Sequence, residues 1–335
     1  MIMNRSMILI LGLLLPAIAS LATGRWSQDV LDGYEYRHVE QPDDYSGHVK
    51  STIVRRLSPC GGDRGVLYVH GFNDYFFQKE MGDRMVDSCL NFYAVDLRKY
   101  GRSLMDGQKP FQVRDIREYY ADIDSAVAQM KLDGIRHIIL MGHSTGGLTS
   151  SLYMSERPDD AIAGMVLNSP FLDWNLGKIE GFVPFVSAVG SWLPDLTIPQ
   201  GDGTAYAESL LKGYHGEWEY DTDWKKTVSP DVDAGWVRAI DQAQSKLKNG
   251  VDIAVPILLM RSARSGSGDQ WTPEASSSDM VLDVDDIGRY GYRLGHQITS
   301  VKVNGGLHDL MLSSKPVREA VYDRVFRWMH DIGFR

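Results

Sequence analysis

The feature that most constrains the fold is an alternation of short apolar runs with segments of helical spacing. Residues 66–69, 92–95 and 138–141 are apolar runs, and residues 78–88 and 116–131 between them have apolar residues at three-to-four spacing. Short apolar strands that alternate with helices are typical of a parallel sheet covered on both faces. The sequence therefore predicts an α/β fold, and the same pattern resumes after residue 250.

The alternation is interrupted from about residue 171 to about residue 250. This stretch is rich in aromatic residues and broken by prolines, and it is too long for a plain loop. We interpret it as a cap inserted into the α/β domain. The aromatic residues noted in it are Trp174, Phe182, Phe185, Trp192, Tyr206, Tyr214, Trp218, Trp224 and Trp236.

The N-terminus has the layout of a secretory signal peptide. Arg5 precedes an apolar run over residues 7–15, and Pro16 and several small residues follow. The run is too short to span a bilayer comfortably. We predict a signal peptide over residues 1–22, a mature domain over residues 23–335, and a periplasmic or secreted protein; an uncleaved anchor is the alternative.

Charge and cysteine content narrow the possible partners and compartment. The formal net charge is −9 and no basic run is present, which argues against a nucleic-acid partner. The two cysteines, Cys60 and Cys89, each stand just before an apolar run. If those runs are neighbouring parallel strands, a disulfide is geometrically possible, and export would permit it. The alternative is two buried free thiols.

Ser144 lies in the stretch HIILMGHSTGGLTSSLYM, between Gly142 and Gly146. An apolar run precedes it and a helix-like segment follows, and a sharp strand-to-helix turn exposes a serine hydroxyl above a sheet. A serine nucleophile needs a histidine base held by a carboxylate. His308 is our candidate base, because it follows the run at 298–303 and a Gly-Gly pair. The alternative for Ser144 is that it lies in an ordinary glycine-rich turn and has no catalytic role.

Two backbone N–H groups are the expected donors to an oxyanion. Thr145 directly follows the serine, and Phe72 lies in the loop after the run at residues 66–69. We interpret His70 and His143 as residues that shape the turns. Asn73 and Asp74 are either polar contacts or turn residues, and we interpret them as turn residues.

Four motifs in order, LYVHGFNDYFF, YAVDLRKYGRSL, MGHSTGG and GGLHDL, resemble the α/β-hydrolase superfamily. The branch that they resemble contains bacterial monoglyceride lipases, lysophospholipases and serine-aminopeptidase-like hydrolases. The resemblance covers roughly residue 65 to the C-terminus. It implies a mostly parallel eight-stranded sheet with a lid inserted after the sixth strand, and it implies that the strands following Cys60 and Cys89 are neighbours.

The sequence departs from this family at the catalytic acid. The family places the acid in a Gly-x-x-Asp pattern after the seventh strand, but here that position falls near Ser265. Asp279 is our candidate, because the apolar residues and helix-like segment that follow it match the family best. The loop before it is then longer than usual. Asp269 and Asp283 are the fallbacks, with Asp285 and Asp286 also considered, and Asp283 otherwise reads as a helix N-terminal acid.

A second departure is DLRKYGRS, where Lys99 and Tyr100 replace the commoner Gly and His. We interpret Asp96 and Arg98 there as structural residues.

The resulting expectation is an exported serine esterase that needs no metal or organic cofactor. Its substrate is expected to be a small-molecule or lipid ester such as a monoacylglycerol or lysophospholipid, with transient contact to a membrane surface. Two alternatives stay open: an aminopeptidase of the same fold, which needs an anionic pocket for a substrate amine, and a non-catalytic binding protein. Acidic candidates for such a pocket are Glu208, Glu217, Glu219, Asp221 and Asp223.

Overall fold

The structure is a computed structural model that describes residues 25–334. The predicted signal peptide, residues 1–22, lies outside the described residues. Two sheets are present in the described range. The strands are β1 (Ser27–Gln28), β2 (Glu35–Asp44), β3 (Gly47–Arg56), β4 (Arg64–Val69), β5 (Asn91–Asp96), β6 (His137–His143), β7 (Ile162–Asn168), β8 (Thr197–Ile198), β9 (Val232–Asp233), β10 (Ile257–Ser262) and β11 (Ile298–Val303).

The main sheet has the strand order β1-β2-β3-β5-β4-β6-β7-β10-β11. Every neighbouring pair from β5 to β11 is parallel, whereas β1, β2 and β3 pair antiparallel at one edge. The sheet is thus mostly parallel, as the resemblance to the α/β-hydrolase superfamily implies. It has nine strands where eight were expected, because the two-residue β1 extends the antiparallel edge. The remaining pair, β8 and β9, forms a separate two-stranded sheet.

The parallel strands are apolar along their length because both faces of the sheet are covered. Leu67 and Leu140 belong to the core on one face, and Tyr68 and Met141 belong to the core on the other. The helices of the described range are α1 (Lys79–Asp87), α2 (Tyr120–Leu132), α3 (Thr145–Glu156), α4 (Val183–Gly190), α5 (Ala205–Leu210), α6 (Ala234–Lys248), α7 (Val284–Gly291) and α8 (Lys315–Asp331). No helix in residues 25–334 is long and apolar enough to cross a bilayer.

The two cysteines lie at the same end of two neighbouring strands. Strands β4 and β5 pair in parallel, with Gly65 opposite Asn91. Cys60 and Cys89, which precede these strands, form a disulfide with a Cα–Cα distance of 5.4 Å. Of the two alternatives that the sequence left open, the structure has the disulfide and not the two free thiols.

The long aromatic stretch lies between β7 and β10. It contains α4, α5, the β8–β9 pair and α6. Helix α6 packs into the core beside the sheet through Ile240 and Leu247. We therefore use the name cap segment for residues 171–233 only, which is the part of the predicted cap that precedes α6.

Candidate active site

Ser144 occupies a strained turn between β6 and α3. Its backbone has φ +52° and ψ −119°, a conformation rarely adopted by a residue other than glycine. The two flanking glycines make the turn possible. A Cβ on Gly146 would overlap the carbonyl oxygens of Val69 and His70, and one on Gly142 would overlap the backbone of Gly146. The Gly-x-Ser-x-Gly spacing is therefore required by the close approach of three backbone segments.

Asp279 and His308 form a buried hydrogen-bonded pair. Nδ1 of His308 lies 2.9 Å from Oδ2 of Asp279, and both side chains are buried. The other oxygen, Oδ1, accepts hydrogen bonds from the backbone N–H groups of Val281 and Leu282, each at 2.9 Å. A carboxylate held in this way accepts a hydrogen bond from Nδ1–H of His308. The nitrogen that can accept a proton is then Nε2.

A loop excursion explains why the acid is displaced in the sequence. Ser265 and Asp279 are bridge partners. The backbone N–H of Gly266 donates to the carbonyl of Asp279 at 2.7 Å, and that of Asp279 donates to the carbonyl of Arg264 at 3.1 Å. Residues 266–278 therefore leave the strand direction and return beside the position where the family has its acid.

The other acidic candidates lie elsewhere. Asp283 caps α7, where its side chain accepts a hydrogen bond from the backbone N–H of Asp285 at 2.8 Å, as its N-terminal position suggested. Asp269 is exposed. Asp285 and Asp286 pair with Lys302 and Arg289. Among the five acidic candidates in this loop and helix, only Asp279 hydrogen-bonds with His308.

Ser144, His308 and the two predicted oxyanion donors line one cavity of about 250 Å³. Thr145 is the first residue of α3, so its backbone N–H has no partner within the helix. Phe72 follows Gly71, where a Cβ would lie 3.1 Å from Cβ of Ser144. The backbone that carries the Phe72 N–H therefore approaches the serine closely.

His70 and His143 make backbone contacts, in agreement with a role in shaping the turns. Nε2 of His70 accepts from the backbone N–H of Leu97 at 3.0 Å, and its Nδ1 donates to the carbonyl of Gly71 at 2.8 Å. Nδ1 of His143 lies 3.1 Å from the carbonyl oxygen of Asn168. The His143 ring also packs on the His308 ring with a centroid distance of 4.8 Å, and burial lowers the pKa of His143.

A polar network beside His308 was missed in the sequence. Asp309 is buried and accepts from Nδ2 of Asn168 at 2.7 Å, and Oδ1 of Asn168 accepts from the backbone N–H of Leu310 at 3.1 Å. The hydroxyl of Tyr206, from the cap segment, accepts from the backbone N–H of Asp309 at 3.2 Å. These contacts fix the loop that carries His308 to the end of β7. The available signal was the aspartate that follows the histidine in GGLHDL.

The DLRKYGRS segment is structural, as expected. Asp96 accepts from the backbone N–H groups of Phe76 and Arg102, and Arg98 forms a buried ion pair with Asp122 at 2.8 Å. The unusual Lys99 is buried and pairs with Asp44 at 2.7 Å.

The cavity wall has an apolar part and a polar part. Its apolar part includes Phe171, Trp174, Trp236 and Leu282. The residues that form its polar part are Asn73, Asn175, Gln200, Lys225, Lys226, Thr227 and Ser229. None of the described residues that line the cavity is an aspartate or glutamate.

Comparison with known protein families identifies the family of the chain. The family model described as serine aminopeptidase, S33, matches residues 63–288. The chain belongs to this family. Membership in the S33 family makes the protein a serine hydrolase of the α/β-hydrolase superfamily. The match ends before His308, so the role of that residue depends on the geometry above.

Solved structures similar to this S33 family member include lipases and esterases. The monoacylglycerol lipase of Paleococcus ferrophilus is 19% identical, with a TM-score of 0.61 over 84% of this chain and 98% of that chain. A soluble variant of monoglyceride lipase from Saccharomyces cerevisiae, in complex with a substrate analog, is 15% identical, with a TM-score of 0.60 over 92% and 94%. Est1E from Butyrivibrio proteoclasticus, with ferulic acid bound, is 15% identical, with a TM-score of 0.54 over 86% and 97%. At these identities the likeness shows the fold.

Proposed function

We propose that the protein hydrolyses carboxylic esters through an acyl-enzyme formed on Ser144. His308 accepts the proton of the serine hydroxyl as the oxygen attacks the acyl carbon, and then protonates the leaving alcohol. Asp279 orients His308. The backbone N–H groups of Phe72 and Thr145 stabilise the oxyanion. Water activated by His308 then releases the acid and restores the serine.

The observation that carries this proposal is the hydrogen bond between His308 and Asp279 at the wall of the cavity that Ser144 also lines. The hydrogen bond from Nδ1 selects the imidazole tautomer that has Nε2 available as a base. Ser144, His308, Phe72 and Thr145 line the same partly enclosed cavity, which supports their roles as nucleophile, base and oxyanion donors. Removal from water strengthens the electrostatic effect of those donors on the developing charge.

The test is the hydrolysis of p-nitrophenyl esters from acetate to palmitate by the wild type, Ser144→Ala and Ser150→Ala. Ser150 is a buried serine on α3 that does not line the cavity, so it controls for loss of a helix hydroxyl. We expect Ser144→Ala to remove activity and labelling by a fluorophosphonate, and Ser150→Ala to retain both. Equal activity of Ser144→Ala and wild type would reject the mechanism. Labelling at Ser144 without hydrolysis of any ester would reject the ester class and keep the nucleophile.

A lipid-like ester is the proposed substrate class. The apolar part of the cavity wall suits an acyl chain, and the polar part suits a glycerol or a phosphate-bearing alcohol, as in a monoacylglycerol or lysophospholipid. Relatives in fold that are named as monoacylglycerol lipases support this class. Activity that peaks with medium or long acyl chains is the expected result, whereas activity confined to acetate would exclude it.

The family name also raises an aminopeptidase, which needs a carboxylate to bind the substrate amine. The acidic residues of the cap segment that the sequence offered for this purpose do not line the cavity. Glu217 pairs with Arg318, and Asp221 accepts from the backbone N–H of Asp223. Two lysines line the cavity in their place, so the ester is favoured over a peptide with a free N-terminus. Hydrolysis of aminoacyl p-nitroanilides at rates above those of the esters would reverse this preference.

The cap segment also has a face suited to a membrane surface. Phe182, Phe185 and Trp192 are exposed by 66%, 68% and 85%, and Ile179 and Leu193 are also exposed. The same segment reaches the cavity through Leu176. We propose transient contact of this face with lipid, so that substrate passes directly from the lipid into the cavity. In a flotation assay with phosphatidylcholine vesicles, the wild type should rise with the vesicles and a Phe185→Ser/Trp192→Ser variant should stay in the bottom fraction. Equal flotation of the two proteins would exclude this face.

Export to the periplasm or medium completes the proposal. The disulfide between Cys60 and Cys89 fits an oxidising compartment, and residues 1–22 have the layout of a signal peptide. N-terminal sequencing of the protein from fractionated cells should find a mature start after residue 22. A start at Met1 in the membrane fraction would favour the uncleaved anchor.

A further inference from the structure

Asn73 lies in the loop that carries one of the two proposed oxyanion donors, directly after Phe72. Its backbone is left-handed, with φ +48°, a conformation that asparagine tolerates better than most residues. Its side chain does not close a local turn. It reaches 153 positions along the chain, to Lys226 in the cap segment.

The contact between Asn73 and Lys226 is reciprocal. Nδ2 of Asn73 donates to the carbonyl oxygen of Lys226, and the backbone N–H of Lys226 donates to Oδ1 of Asn73, each at 2.8 Å. One primary amide thus satisfies both backbone groups of one residue. Because two parallel hydrogen bonds fix orientation as well as distance, Asn73 acts as a clamp between the loop and the cap segment.

Neighbouring contacts reinforce the clamp. Nζ of Lys225 lies 3.1 Å from Oδ1 of Asp74 and 3.4 Å from the carbonyl oxygen of Asn73. Both side chains of this ion pair are buried, at 8% and 2% exposure. The backbone N–H of Asp221 donates to the hydroxyl of Tyr75 at 2.8 Å. Three successive residues after Phe72 are therefore held by residues 221–226 of the cap segment.

We infer that Asn73 is a positioning residue, which holds the Phe72 backbone N–H in place for the oxyanion through its clamp on the cap segment. The inference rests on the proposed function, because it assigns a means of control to the same site. Its consequence is that the cap segment completes the oxyanion hole as well as covering the cavity. Displacement of the cap segment would weaken stabilisation of the transition state.

The test compares variants of the clamp with a variant of a different contact between the cap segment and the rest of the chain. Asn73→Asp keeps the acceptor for the Lys226 N–H but removes the donor and sets a carboxylate against a carbonyl oxygen. Asn73→Gly keeps the left-handed backbone at no steric cost and removes both bonds. The control is Asp195→Ala, which removes the exposed contacts of Asp195 in the cap segment with Gln112 and Arg114. Asp195 does not line the cavity.

We expect both Asn73 variants to lower kcat by about tenfold to about a hundredfold, the loss associated with an ångström-scale misplacement of a catalytic group. KM should change by a smaller factor than kcat, because the oxyanion donor acts mainly in the transition state, whereas Asn73 as a residue of the cavity wall affects binding of the alcohol part. Asp195→Ala should keep the kcat of the wild type. Equal losses in Asp195→Ala and in the Asn73 variants would overturn the inference, because general loosening of the cap segment would then explain the effect.

A second readout is specific to the oxyanion. Hydrolysis of an ester is compared with hydrolysis of the corresponding thionoester, in which sulfur replaces the carbonyl oxygen and accepts N–H hydrogen bonds poorly. The ratio of the ester rate to the thionoester rate should fall in the Asn73 variants and stay at the wild-type value in Asp195→Ala. An unchanged ratio in all variants would overturn the inference even if kcat falls.

Failure of the proposed function can be told apart from failure of this inference. If the wild type hydrolyses no ester, the rate at which a fluorophosphonate modifies Ser144 still reports the hole, because the phosphoryl oxygen occupies it during the reaction. Slower modification of the Asn73 variants than of Asp195→Ala would then support the clamp alone. Equal rates would reject it.

Discussion

The two sides of the cavity are built in different ways. On the sheet side, Ser144, His308 and Asp279 lie at strand ends or in loops that follow strands, and hydrogen bonds to backbone groups or to one another restrict them. On the opposite side, the cap segment contributes aromatic rings, two lysines and a largely exposed outer face. The sheet side therefore tolerates little displacement of its side chains. The residues of the cap segment that line the cavity are less constrained, and they set which substrates fit. In the proposed mechanism the sheet side carries most of the chemistry and the cap segment most of the selectivity, and the clamp from Asn73 to Lys226 joins the two.

The strongest expected effect is at the buried acid. Asp279→Asn keeps an oxygen for the N–H groups of Val281 and Leu282 but removes the charge that selects the His308 tautomer. Turnover should fall by about 10⁴-fold while the fold is retained, as measured by ester hydrolysis alongside circular dichroism. Asp269→Asn, in the exposed part of the same loop, is the matched control and should keep wild-type turnover. Near-normal turnover of Asp279→Asn would move the acid to another residue.

A glycine-to-alanine substitution should destabilise the protein strongly on the sheet side and hardly at all in the cap segment. A Cβ on Gly146 would overlap the carbonyl oxygens of Val69 and His70, whereas a Cβ on Gly181 in the cap segment meets nothing within 4 Å. Gly146→Ala should lower the free energy of unfolding by about 3 kcal/mol, the upper end for overpacking. Gly181→Ala should stay within about 0.5 kcal/mol of the wild type. Urea unfolding measures both, and a similar effect of the two changes would contradict the division.

This division also explains what could be predicted from the sequence. Local sequence patterns predict the strands, the serine turn and His308. Apolar runs and glycines next to the serine and the histidine can be recognised within a few consecutive residues. Asp279 could be selected only through the resemblance to a family, since its partner Ser265 precedes it by an excursion of the chain. The clamp from Asn73 to Lys226 has no local signal at all, because it joins residues 153 positions apart, and a single asparagine after a turn looks like a turn residue.

A smaller effect is expected from the aromatic residues of the cap segment, which divide by exposure. Trp174 lines the cavity and is 9% exposed, whereas Trp192 is 85% exposed. Trp174→Ala should raise KM for a decanoate ester about tenfold, since roughly 1.5 kcal/mol of apolar contact with the acyl chain is lost. Trp192→Ala should leave KM for a soluble ester unchanged and weaken binding to vesicles. An equal rise in KM for acetate and decanoate in Trp174→Ala would show that this ring only packs the cap.

The smallest expected effect is the pH dependence of stability contributed by His143 on the sheet side. Burial lowers its pKa in the folded protein, so the unfolded chain, with a histidine pKa of about 6.5, binds the proton at higher pH. The stability that neutral His143 contributes is therefore fully present above that value and is lost as the pH falls toward the folded pKa. A single group changes the free energy of unfolding by at most about 1.4 kcal/mol per pH unit.

The measurement is urea unfolding of the wild type and His143→Asn at pH 7.5 and pH 5.0. The wild type should lose more stability on acidification than the variant, because only in the wild type does unfolding expose this ring and let it bind a proton. His296→Asn removes a largely exposed histidine and should follow the wild type. If acidification destabilised His143→Asn as much as the wild type, the acid sensitivity would have to come from the carboxylates of the ion pairs, and the turn beside Ser144 would contribute nothing to it.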